Sequence, residues 1–326
     1  MRFISLDKLW YTRQPHRWLL LPFAWVYQAI TVIRRHYLQR TCQQTFSVPI
    51  IVVGNISVGG VGKTPLVIAL AQKLQAQGIR VGIVSRGYGA SVASFPHEVN
   101  THDTATLVGD EPLLLAKRTG CPVVIAPDRV QAVQYLLAKH QSQVVISDDG
   151  LQHYKMGRAI EIAVIDGVRG LGNGLCLPAG PLRESACRLT EVDFIVVNGG
   201  TWPNGYRMDL QPGRLTKLTH GNTIDLAELS GPVAAVAAIG HPQRFFTTLQ
   251  VLGVQFNAYP FADHYAFQAD DLRLPEQTVV MTEKDAVKCQ SFALDSMYYL
   301  PVDAMVSDAF WQALWSHEQL KGLCLK

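Results

Sequence analysis

Short unbroken apolar runs alternate with amphipathic stretches between residues 48 and 200, and this alternation sets the expected fold. Val48 to Val53 is a β-branched run closed by Gly54, and helically spaced apolar positions from Pro65 to Ala76 stop at Gly78. The unit then repeats. Strand runs fall at Val81 to Ser85, Val123 to Ala126 and Val144 to Ser147, with helical patterns near Glu111 to Lys117 and from Arg129 to Lys139. Strands that lack polar alternates are those covered on both faces, so the pattern predicts an α/β fold built on a parallel sheet with helices on both sides. Ile160 to Ile165 and Phe194 to Val197 extend the sheet. The Gly/Pro-rich stretch Gly167 to Pro181 between them reads as a long functional loop, and the first lobe is expected to cover residues 46–205.

Polar-apolar alternation around Gln211-Pro212-Gly213 suggests a hairpin, and residues 206–230 are read as a linker. A smaller α/β lobe over residues 231–326 follows. Its elements are a strand at Val233 to Ile239, a helix at Pro242 to Leu252, a strand at Thr278 to Thr282 and a helix at Ala309 to His317.

Composition changes the picture mainly at the N-terminus. The chain of 326 residues carries a net charge of only +3, yet residues 1–40 hold seven Lys or Arg against the single acid Asp7. The apolar stretch from Trp18 to Ile33 is 16 residues long and is interrupted by Pro22, Gln28 and Thr31. That falls short of the roughly 20 residues needed to span a bilayer. Trp10, Trp18, Trp25 and Tyr27 supply amphipathic rings, flanked by Arg13, Arg17, Arg34, Arg35 and Arg40, so residues 1–45 read as a basic segment lying on an anionic membrane surface. A helix packed on the protein's own core is the competing reading. Six cysteines, at 42, 121, 176, 187, 289 and 324, show no CxxC spacing, which argues against a zinc site or a disulfide framework. No nucleic-acid surface and no obligate protein partner is implied.

Two constellations carry chemistry. Ser57-Val58-Gly59-Gly60-Val61-Gly62-Lys63-Thr64 stands between a predicted strand and a predicted helix, the setting in which such a loop cradles phosphates. Its backbone N–H groups and the helix N-terminus favour negative charge, Lys63 reaches the β and γ phosphates, and the Thr64 hydroxyl can ligate Mg2+. Ser57 occupies a place where glycine is usual. Val144 to Ser147 delivers Asp148 and Asp149 at a strand's carboxyl end, where open α/β sheets place their ligands, and one of these acids would hold Mg2+.

Further motifs follow in order: S-R-G-Y-G from Ser85, V-G-D-E-P from Val108, D-R at Asp128, D-D-G-L-Q-H from Asp148, P-A-G-P-L-R-E from Pro178, A-I-G-H-P-Q-R-F-F from Ala238, F-A-D-H-Y from Phe261 and M-T-E-K-D-A-V-K from Met281. Together, from about residue 48 to residue 288, they resemble the lipid A 4'-kinase family, P-loop kinases acting on lipid. The resemblance implies transfer of the γ-phosphate of ATP to the 4'-hydroxyl of a tetraacylated glucosamine disaccharide 1-phosphate, giving lipid IVA. The implied location is peripheral, on the cytoplasmic face of the inner membrane. It implies ATP and Mg2+, a nucleotide loop on Ser57 to Thr64, and metal-associated acids at Asp148 and Asp149 with Glu184 beside them. A catalytic carboxylate falls on Asp110 and its paired histidine on His264, and Arg129 and Arg183 would clamp phosphate of ATP or of the substrate. Spacing alone does not join Asp110 to His264. Glu111-Pro112 after Asp110 also suits a helix N-cap. Membrane-associated partitioning ATPases share Gly-Gly-Val-Gly-Lys-Thr, but their signature lysine would stand at Val58, and a non-catalytic nucleotide-binding scaffold leaves Asp110 and His264 unexplained.

Overall fold

The computed structural model describes residues 6–12, 15–229 and 231–323. Arg13 of the basic segment, Ser230 and Cys324 lie outside the described residues. A nine-stranded sheet forms the larger layer, in the order Val302–Val306, Tyr206–Pro212, Phe194–Asn198, Ile160–Asp166, Ile50–Gly54, Val144–Asp148, Val81–Ser85, Val123–Ile125 and His97–Glu98. The first and last of these run antiparallel to their neighbours, and the other pairings are parallel. The apolar runs explain why both faces are covered. Ile51 and Val53 join the core beneath the helices Lys63–Ala76 and Asp110–Thr119, while their neighbours Ile50 and Val52 join the core beneath Arg129–Lys139.

The second sheet has six strands, in the order Thr223–Ile224, Leu215–Lys217, Met297–Leu300, Val279–Thr282, Val233–Ala237 and Phe256–Pro260. Here the expected boundaries need correction. Tyr206–Pro212 is no linker hairpin. It is a strand of the first sheet, and the chain runs from it directly into Leu215–Lys217 of the second. The return path, Met297–Leu300 into Val302–Val306, pairs antiparallel with both segments, and the Gly213 N–H donates to the Pro301 carbonyl at 2.9 Å. The lobe expected over residues 231–326 therefore ends near Leu300. Phe310, Leu314 and Leu320 pack in the first lobe's core. Alternation around Gln211 looks the same whether the partner strand is next in the chain or returns much later, as here where Gln211 is paired with Asp303, which is why the pattern misleads.

Leu21–Thr41 is one long helix. Tyr27 and Leu38 face the protein, whereas Phe23, Val26, Ile30, Ile33 and Tyr37 form an exposed stripe, with Trp18, Leu19 and Trp25 exposed beside them. Arg35 ties the helix down, pairing with Glu191 and lying over the Tyr154 ring. No helix among the described residues is long and apolar enough to cross a membrane.

Candidate active site

A cavity of about 1100 Å³ opens between the lobes and is lined by the glycine-rich loop, Asp110, Asp148, Asp149, Arg183 and His264. The loop leaves the buried strand Ile50–Gly54 and enters the helix at Lys63. Gly62 caps that helix at φ +96°, a conformation that side chains resist, and the Asn198 side chain braces the turn by donating to the Val61 carbonyl at 2.9 Å. Gly240 of the second lobe lies over the loop so closely that an added Cβ would stand 3.0 Å from Gly60 N. Ser57 is buried and Val58 N–H is taken by the Pro181 carbonyl, so the loop's first residues serve its shape.

Lys63 Nζ lies 3.3 Å from Asp149 Oδ1 and donates to Asn55 Oδ1 at 3.1 Å. Arg183 reaches both Asp149 oxygens, at 3.2 and 3.1 Å. Burial alone would raise the Asp149 pKa, but these two cations outweigh it and hold the carboxyl at about 2. Asp148 has the opposite environment. It is buried, Ser85 Oγ donates to its Oδ2 at 3.3 Å, and its Oδ1 has no hydrogen-bond partner among the described residues. Burial, then the charges of Glu111 and Asp149, push its pKa up to about 7.

Asp110 is the first residue of its helix, after Gly109, and accepts from Glu111 N–H at 2.8 Å. His264 comes from the other lobe at φ +59° and sets Nδ1 3.0 and 3.2 Å from the two Asp110 oxygens. Burial would raise the Asp110 pKa, but the His264 hydrogen bond and the Lys284 charge hold it below the ordinary value. The same hydrogen bond raises the His264 pKa against burial and the Lys284 charge.

Other candidates are placed differently. Arg129 is buried with its guanidinium on the Ala126 and Asp148 carbonyls, at 2.9 and 3.2 Å, and burial lowers its pKa to about 10. The Glu184 oxygens accept from Tyr154 Oη and, at 2.8 Å, from Gln152 Nε2. Thr64 lines the cavity beside Lys63. Sequence reasoning missed Asn55, Asn198, Glu111 and Lys284. The last two stand inside quoted motifs, G-D-E-P and T-E-K-D, while the two asparagines leave no signal beyond ending apolar strands.

The family model for tetraacyldisaccharide-1-P 4'-kinase matches residues 16–319. A tetraacyldisaccharide 4'-kinase of Legionella pneumophila (strain Lens) is 56% identical over 317 residues, covering 97% of this chain and 98% of that one. One from Aeromonas hydrophila is 48% identical, covering 92% and 91%. Among solved structures, LpxK from Aquifex aeolicus in complex with ATP aligns with a TM-score of 0.78 at 28% identity, over 93% of this chain and 99% of that one. With its matched loop, paired acids and two-lobed cavity, the chain belongs to the tetraacyldisaccharide-1-P 4'-kinase family.

Proposed function

We propose that the chain transfers the γ-phosphate of ATP to the 4'-hydroxyl of a tetraacylated glucosamine disaccharide 1-phosphate, forming lipid IVA. The observation that carries this is the Asp110 and His264 pair, set in the same cavity as the phosphate loop. The loop's N–H groups and Lys63 bind and orient the phosphates, and Arg183 adds charge on the same side. Asp149 keeps Lys63 and Arg183 aligned rather than neutralising them, since it is one carboxylate between two cations.

Roles within the catalytic pair follow from its hydrogen bonds. Nδ1–H of His264 donates to Asp110, so the free lone pair of a neutral ring is on Nε2. Asp110 is a poor proton acceptor because its oxygens are engaged and its pKa is depressed. His264 Nε2 therefore takes the hydroxyl proton and Asp110 fixes the ring's tautomer and angle, the reverse of the roles the resemblance first suggests.

The residues also fit a divalent cation. Asp148 Oδ1 is buried and makes no hydrogen bond among the described residues, and Thr64 lines the same cavity. Asp148 and Thr64 would hold Mg2+, which when bound neutralises charge on the β and γ phosphates. Asp149 and Glu184 have their oxygens committed to protein donors.

The exposed stripe of Phe23, Val26, Ile30, Ile33 and Tyr37 supports docking on a membrane surface, with Tyr27, Thr31 and Arg34 of the same helix lining the cavity. The acceptor's sugar headgroup would then enter the cavity along this helix while its acyl chains stay in lipid. Incubation with labelled ATP, Mg2+ and a tetraacyldisaccharide 1-phosphate in detergent micelles should yield a bis-phosphorylated lipid. Absence of that product under conditions that bind ATP would refute the reading.

A further inference from the structure

Lys284 is the first-turn lysine of the helix Glu283–Cys289 in the second lobe. Its side chain is 18% exposed, and three carboxylates from two lobes converge on its ammonium. Nζ donates to Glu111 Oε1 at 2.9 Å and stands 3.7 Å from Asp263 Oδ1 and 3.9 Å from Asp110 Oδ2. Two of these oxygens are the ones that hold His264. Asp110 Oδ2 accepts from the ring at 3.0 Å, and Asp263 Oδ1 accepts from the His264 backbone N–H at 3.1 Å.

We propose that Lys284 is a positioning residue for the proton acceptor, gripping the two carboxylates that orient the His264 ring and its backbone as the lobes close. The proposal rests on the reading of His264 as the acceptor. His264 sits at φ +59°, in the left-handed region that non-glycine residues enter uncommonly. Without the ammonium, Asp110 and Glu111 of one lobe would face Asp263 of the other as like charges, and their repulsion would draw the Asp263-His264 turn off Asp110. The ring also lies against Tyr88, whose centroid is 5.1 Å away, and Asp263 Oδ1 is 3.9 Å from Nε2. Lys288 adds a more distant positive charge toward Asp110 but is paired with Asp285 at 2.6 Å. The anchoring of Lys284 is rigid. Thr282 caps its helix through the Asp285 N–H, and Arg118 holds the adjacent Glu283 at 2.6 Å.

The test is a cycle of Lys284→Met, His264→Ala and the double variant, assayed for kcat and ATP KM on the micellar lipid substrate, with Lys284→Arg as the charge-retaining control. Lys284→Met should lower kcat by roughly 10- to 100-fold with ATP KM within about 3-fold, because orientation acts on the chemical step. In the His264→Ala background the same change should cost less than about 3-fold, since nothing remains to be oriented. Lys284→Arg should recover activity above Lys284→Met, and ATP-binding titration of each variant shows that it is folded. An equal fractional loss in both backgrounds, or a loss confined to ATP KM, overturns the proposal. Near-normal kcat in His264→Ala alone overturns it too, and places the failure in the acceptor reading rather than in Lys284.

Discussion

Gly62→Ala is the sharpest probe of the nucleotide loop, because two separate costs can be read from its surroundings. Its φ of +96° costs an L-residue about 1–2 kcal/mol. The new methyl would also overlap Asn198 Nδ2, coming within 3.2 Å of Asn198 Cγ and 3.3 Å of Met208 Cε. Asn198 is buried and braces the Val61 carbonyl, so displacing it forfeits a buried hydrogen bond at about 1–3 kcal/mol. The sum, about 2–5 kcal/mol, is relieved only if the loop leaves the shape that receives phosphates. ATP affinity should therefore fall by roughly 30-fold or more. Calorimetric titration of Mg-ATP into wild type, Gly62→Ala, Asn198→Ala and the double variant separates the two costs. Asn198→Ala removes the overlap and leaves the strained φ, so the double variant should lose less than the two singles combined. An ATP affinity within about 3-fold of wild type for Gly62→Ala would show that the loop's observed conformation is not the binding one.

Asp148→Asn should raise the Mg2+ concentration for half-maximal activity by roughly tenfold or more, since it strips the cation of a charged ligand, and an unchanged metal titration would remove Asp148 from that role. The His264 pKa lies above its ordinary 6.5 because of Asp110, so kcat should drop as pH falls through that raised value, and Asp110→Asn should move the acidic limb to lower pH. The contribution to folding has the opposite sense: the pairing's stabilisation through His264 is complete below about pH 6.5 and is lost as pH rises through the raised folded value. A limb that stays in place in Asp110→Asn would refute the coupling. Replacing Ile30 and Ile33 with Glu should release the protein from anionic vesicles in a sedimentation assay, and unchanged co-sedimentation would refute docking through that face.

The central strands of the first lobe were legible because they are apolar on both faces, and the glycine-rich loop because it stands between a strand and a helix. Val81–Ser85 and Arg129–Lys139 fall where the pattern puts them. The second lobe was less so. Phe256–Pro260 mixes exposed and half-buried positions, and Met297–Leu300 sets two half-buried tyrosines between two buried residues, which leaves no clean period. At the site, the phosphate loop and paired acids could be read locally, but the distinction between Asp148 and Asp149 could not. It depends on where Lys63 and Arg183 point, which adjacent positions in a sequence do not encode. Asp110 meeting His264 across 154 residues was reached only by resemblance.

The crossing at Gly213 and Pro301 bears on how the molecule is made. The nucleotide sheet lacks its edge strand, and its core lacks Phe310 and Leu314, until residues 302–316 have been synthesised. The second lobe is thus an insertion within the first, and it must fold while its host is still short of a strand. A nascent chain halted near residue 290 would carry the entire glycine-rich loop and both paired acids, yet it would lack the strand that flanks Tyr206–Pro212. The same topology joins the lobes by two adjacent peptide crossings instead of one, so their relative motion is a bend across a ribbon rather than a swivel about a tether.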